Sequence, residues 1–151
     1  MVTALDLNPE IKTVLVVGYV WPEPNSSAAG GHMLSLLKYF KSQNCRVVFS
    51  TPSQPTDHMI DLSEYDVESC EIELNSSSFD EFVSELDPQL VLFDRFMMEE
   101  QFGWCVEINC PDAIRVLDTE DLQSLRGARH EALKKGEKFS AEKMKLSDLA
   151  K

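Results

Sequence analysis

From residue 12 onward, short apolar runs alternate with stretches in which apolar residues recur every three or four positions. Five runs predict strands: Thr13 to Gly18, Arg46 to Thr51, Ser69 to Leu74, Gln89 to Phe93 and Ile114 to Leu117. The first, continuous, β-branched and closed by glycine, reads as a parallel strand buried on both faces. Between the runs lie helical patterns. Met33, Leu36, Leu37 and Phe40 form one apolar stripe, with Lys38 and Lys41 turned to water. Asp57 to Tyr65 predicts a short helix with Met59, Ile60 and Leu62 inward. Ser78-Phe-Asp-Glu81 has the form of a capping box ahead of Phe79, Phe82, Val83 and Leu86, and Pro88 stops that helix. Phe96 to Asn109 predicts a helix packed through Met97, Phe102, Trp104 and Val106, which Gly103 weakens and Pro111 ends.

From Thr119 a long helix is predicted with Leu122, Leu125, Ala128, Ala132 and Leu133 inward and Gly136 capping its end. Ser140 to Lys151 begins another, through Met144, Leu146 and Leu149, and stops without a terminating signal, as an element cut short would. Strands alternating with helices in this way predict an α/β fold, a doubly wound five-stranded parallel sheet of order 3-2-1-4-5 with flanking helices, in one domain over residues 1–151.

Sheets of this kind bind ligands beyond the carboxyl ends of their strands, in the crevice where strand order reverses. With order 3-2-1-4-5 the crevice is flanked by the loops after the first, fourth and fifth strands, and these are the three most polar strand exits. The first, Gly18 to Gly31, far exceeds the roughly 2 to 6 residues of an ordinary strand-to-helix loop. Asn25, Ser26 or Ser27 is placed to cap the following helix, Gly30 and Gly31 to let a ligand approach the backbone, and His32 to meet it. At the second exit, Asp94 and Arg95 read either as a local ion pair and cap or as partners for substrate hydroxyls. At the third, Asp118, Glu120 and Asp121 read as carboxylates favoured by a helix start, as the lining of a sugar pocket, or as ligands of a divalent ion. His58 and His130 have no comparable neighbours.

Composition narrows the function. A chain of 151 residues, 43% hydrophobic, is sized for a single core. A net charge of −12 opposes binding to nucleic acid or to anionic membranes. No run is long enough to span a bilayer, and the first residues lack the basic start of a leader, so a cytoplasmic location is expected. Cys45, Cys70, Cys105 and Cys110 have neither the spacing nor the histidine partners of a metal or redox motif and read as reduced thiols. No cofactor or metal is expected. G-x-G-x-x-G, the P-loop pattern and a nucleophile elbow are all missing, which weighs against dehydrogenase, P-loop and hydrolase chemistry.

Two stretches carry a resemblance. Gly18-Tyr-Val-Trp-Pro-Glu-Pro-Asn-Ser-Ser-Ala-Ala-Gly-Gly-His-Met33 and Val116-Leu-Asp-Thr-Glu-Asp-Leu-Gln-Ser-Leu-Arg-Gly-Ala-Arg129 resemble the N-terminal, Rossmann-like half of a GT-B glycosyltransferase of the retaining, family 4-like group. The resemblance implies an acceptor-side domain facing a donor domain across a cleft, and transfer of a sugar from a nucleotide-sugar to a hydroxyl acceptor. It puts Gly30 and Gly31 near the donor phosphates and the loops at Asp94 and Asp118 to Asp121 on the acceptor side. The chain departs from the family in lacking the donor half and its Glu-x7-Glu motif. The expectation is therefore an N-terminal domain or truncated form, inactive alone and prone to self-association through the uncovered domain interface. The alternative is a non-catalytic Rossmann-like module that binds a nucleotide or another anion.

Overall fold

The computed structural model describes residues 8–119, 134 and 136. The chain falls into two compact units, Met1–Asp118 and Thr119–Lys151. In the first, the elements run β1 (Thr13–Val17), α1 (Ala28–Ser42), β2 (Arg46–Thr51), a 3₁₀ turn (Leu62–Tyr65), β3 (Glu68–Glu71), α2 (Ser78–Leu86), β4 (Leu90–Asp94), α3 (Phe96–Asn109) and β5 (Ile114–Asp118). All five strands are parallel, in the order β3-β2-β1-β4-β5. This is the Rossmann-like arrangement that the alternation of patterns predicts, and its reversal point lies between β1 and β4.

The central strands are apolar along most of their length because both faces are covered, and Ser50, Thr51 and Asp94 are buried polar residues at their carboxyl ends. Val14, Val16, Val47, Phe49, Leu90 and Leu92 pack in one cluster with Met33, Leu37 and Phe40 of α1. Leu15, Val17, Val48, Val91 and Phe93 pack in the other with Phe79 and Val83 of α2 and Phe102 and Val106 of α3. Each such side chain contributes roughly 1.5–3 kcal/mol by leaving water. This double core makes the sheet a rigid platform for its loops.

Several local expectations change. The helix predicted over Asp57 to Tyr65 is only the 3₁₀ turn Leu62–Tyr65, with Leu62 buried and Met59 and Ile60 resting against the core. β3 starts one residue earlier than predicted and ends at Glu71, before Leu74, which is exposed. The capping box at Ser78 does not form. Ser77 takes the N-cap place with helical φ −66° and no side-chain bond, so Glu81 falls one position too late to reach back. The Ser78 N–H donates instead to the Ser76 hydroxyl at 3.2 Å. In α3, Met98 and Cys105 are buried, whereas Met97 and Trp104, expected to pack, are 44% and 56% exposed. The helix is apolar on more than one side, and periodicity alone does not choose between the two stripes.

The four cysteines are free, three of them buried. Burial pushes their thiols up, Cys105 to about 11. No helix among the described residues is long and apolar enough to cross a membrane. In the second unit Lys134 is helical, and Gly136 has φ +65°, the left-handed conformation that suits glycine just past a helix end. The remainder of the helices predicted after Thr119 lies outside the described residues.

Candidate functional site

The long loop after β1 is occupied by its own packing. The Gly18 N–H donates to the Ser50 carbonyl at 2.7 Å, and a Cβ on Gly18 would overlap the Phe49 ring. Trp21 is buried, with its ring 5.6 Å from that of Phe49 and its Nε1 donating to the Ser53 carbonyl at 2.9 Å. The Ile60 N–H donates to the Pro22 carbonyl at 3.0 Å, and the Thr56 hydroxyl donates to the Glu23 carboxylate. The loop is thus fastened to the β2–β3 connection, which accounts for much of its length.

Of the three candidate caps, Ser27 serves: its Oγ accepts from the Gly30 N–H at 3.0 Å. Gly30 is buried, and a Cβ there would lie 2.6 Å from the carbonyl carbon and oxygen of Glu23. What requires Gly30 is the close approach of two backbones. The open approach expected at both glycines is left by Gly31 alone, where a Cβ would meet nothing within 4 Å.

The other two strand exits are built differently. Asp94 ends β4 and is paired in register with Asp118, the last residue of β5. Only 7% exposed, Asp94 accepts from the Tyr19 N–H through Oδ2 at 3.4 Å, and its Oδ1 lies 3.7 Å from Arg95 Nε. The Arg95 guanidinium carbon sits 4.6 Å above the Tyr19 ring, a cation–π contact. The Arg95 N–H donates to the Asp118 carbonyl at 2.8 Å. Its backbone, φ 73° and ψ 154°, occupies a region that is nearly reserved for glycine and costs on the order of 1–3 kcal/mol. Across the crevice, His32 Nε2 on the first turn of α1 lies 2.8 Å from Asp118 Oδ2.

His32, Asp94, Arg95 and Asp118, expected from three separate loops, therefore gather at one place with Gly31 beside them. Glu120 and Asp121 lie outside the described residues. Tyr19 was missed by the sequence reading; the available signal was its place directly after the glycine that closes β1. Among the described residues, no three His, Cys, Asp or Glu side chains converge as a metal site would require.

The cluster brings together an imidazole, two carboxylates and a guanidinium. A carboxylate can only accept, so in the hydrogen bond to Asp118 the His32 Nε2 carries the proton, which in the neutral ring leaves the lone pair on Nδ1. The histidine side chain is half exposed at 51%, against 18% for the Asp118 side chain that orients it. Asp94 supplies an acceptor and Arg95 a permanent donor array. No protein-family model matches the chain, and neither a curated protein nor a solved structure matches it.

Proposed function

We propose that this chain is the acceptor-side domain of a GT-B glycosyltransferase, transferring a sugar from a nucleotide-sugar to a hydroxyl acceptor in partnership with a donor domain. The observation that carries the reading is the His32–Asp118 pair at 2.8 Å, set at the reversal point of the sheet beside Asp94 and Arg95. In this reading Asp94 accepts from, and Arg95 donates to, hydroxyls of the acceptor flanking the one that reacts. That hydroxyl oxygen forms the new bond to the anomeric carbon as the bond to the nucleoside diphosphate breaks. Its proton passes to Nδ1 of His32, whose developing charge Asp118 stabilises, as general-base catalysis requires. The resemblance of the loops beginning at Gly18 and Val116 to the family supports the same assignment.

The reading is tested by incubating the chain with UDP- and GDP-sugars while following sugar release, and by calorimetry with UDP, GDP and NAD. It expects no robust hydrolysis and no tight nucleotide binding, since both need the donor side. Robust turnover by the chain alone contradicts the half-site reading; tight binding of any of the three nucleotides favours the non-catalytic binding module. Donor-side complementation then provides the positive arm: transfer should appear with a donor domain and fall about 10²–10⁴-fold in His32→Ala.

A further inference from the structure

Trp104, half out in solvent, borders a cavity of about 370 Å³ between the start of α2 and the middle of α3. Phe79 and Phe102, both nearly inaccessible and with ring centroids 4.6 Å apart, line its apolar side. Its polar side is contributed by Asn75, Asp80 and Gln101, with Glu73 nearby. Asp80 is held in place: its Oδ1 accepts from Asn109 Nδ2 at 2.7 Å, and that same amide donates to the Cys105 carbonyl at 2.8 Å. The polar group is therefore oriented before any ligand arrives, which removes part of the entropic cost of binding.

The lining excludes most ligand classes. Among the described residues two carboxylates and no Lys, Arg or His border the cavity, so net charge disfavours an anion. An apolar guest would use none of the hydrogen-bonding groups of the carboxylates and amides. A tetraalkylammonium ion would meet the carboxylates but accepts no hydrogen bond, so it makes no use of the Asn75 and Gln101 amide donors. A sugar ring meets all of these demands, because each hydroxyl both donates and accepts while its C–H face is apolar and flat enough to lie on an indole. The Cys105 thiol, pushed up to about 11 first by burial and then by the charge of Asp80, is no nucleophile at neutral pH.

We infer that this cavity binds a neutral monosaccharide unit, with Trp104 as its stacking platform and Asp80, Asn75 and Gln101 as its hydrogen-bonding partners. Among the described residues none of the crevice residues lines the cavity, so the inference stands whether or not the crevice transfers sugar.

Saturation-transfer NMR on the full chain tests it, with methyl α-D-glucoside, methyl α-D-mannoside and methyl β-D-galactoside as probes and tetramethylammonium as the cationic comparator. At least one glycoside should bind saturably, shift the amides of Asn75, Asp80 and Gln101, and bind about tenfold more weakly in Trp104→Ala. Trp104→Phe should recover much of the loss. Trp104 is exposed, so its removal leaves the core intact. The inference is overturned if no glycoside shifts the amides of Asn75, Asp80 and Gln101, if those shifts are unchanged in Trp104→Ala, or if only tetramethylammonium produces them.

Discussion

The loop after β1 and the exits of β4 and β5 meet at the same crevice, are equally polar in sequence, and are held by opposite logics. In the first, Trp21 fills the core beside Phe49 and Gly30 admits the Glu23 backbone, so nearly every unusual residue stabilises the fold. At the other two, Arg95 sits where glycine would be unstrained, and a carboxylate that is 7% exposed faces the crevice. Residues that the fold needs and residues that it tolerates at a cost can thus lie side by side. The second kind is where function is to be sought.

Mutations should separate the two regions. Trp21→Ala removes a buried ring and the bond to the Ser53 carbonyl, and should destabilise the chain by about 3–5 kcal/mol in denaturant unfolding. Gly30→Ala forces a methyl against the Glu23 backbone at 2.6 Å and should cost about 1–3 kcal/mol by the same measurement. Equal stability of Gly30→Ala and wild type would erase the distinction between the loops. Arg95→Gly should carry no such cost. Relief of roughly 1–3 kcal/mol of backbone strain offsets the roughly 0.5–1 kcal/mol entropic penalty of glycine and the roughly 0.5–1 kcal/mol of the lost Tyr19 cation–π contact, leaving the variant no less stable than wild type and functionally impaired. Destabilisation by Arg95→Gly would make Arg95 a structural residue like Trp21. Smallest of all, Gly31→Ala meets open space at a helix start and should gain up to about 1 kcal/mol from helix propensity, read as a small rise in Tm.

The same contrast explains what was legible in the sequence. Strand order was readable because apolar runs alternate with helical patterns along the chain, and α3 was readable to its ends, Phe96 and Asn109. Its buried stripe was not, since Met97 and Met98, and Trp104 and Cys105, are adjacent apolar pairs of which packing selects one member. The candidate residues were readable one loop at a time, through their polarity at strand exits. Their connections were not: His32 and Asp118 are 86 positions apart, and a positive φ at Arg95 leaves no mark in an arginine codon's neighbours. Polarity likewise could not tell that Gly30 packs against the Glu23 backbone.

The central claim, that the crevice is an acceptor site, is tested most directly by following the His32 ring nitrogens and the amides of Gly31, Arg95 and Asp118 during titration with hydroxyl-bearing glycosides and, separately, with UDP and GDP. The account predicts saturable shifts at His32 and Arg95 with at least one glycoside, lost in Asp118→Asn, and no tight response to either nucleotide. A crevice silent to every glycoside, with tight nucleotide binding centred on Gly31 and Arg95, would contradict it.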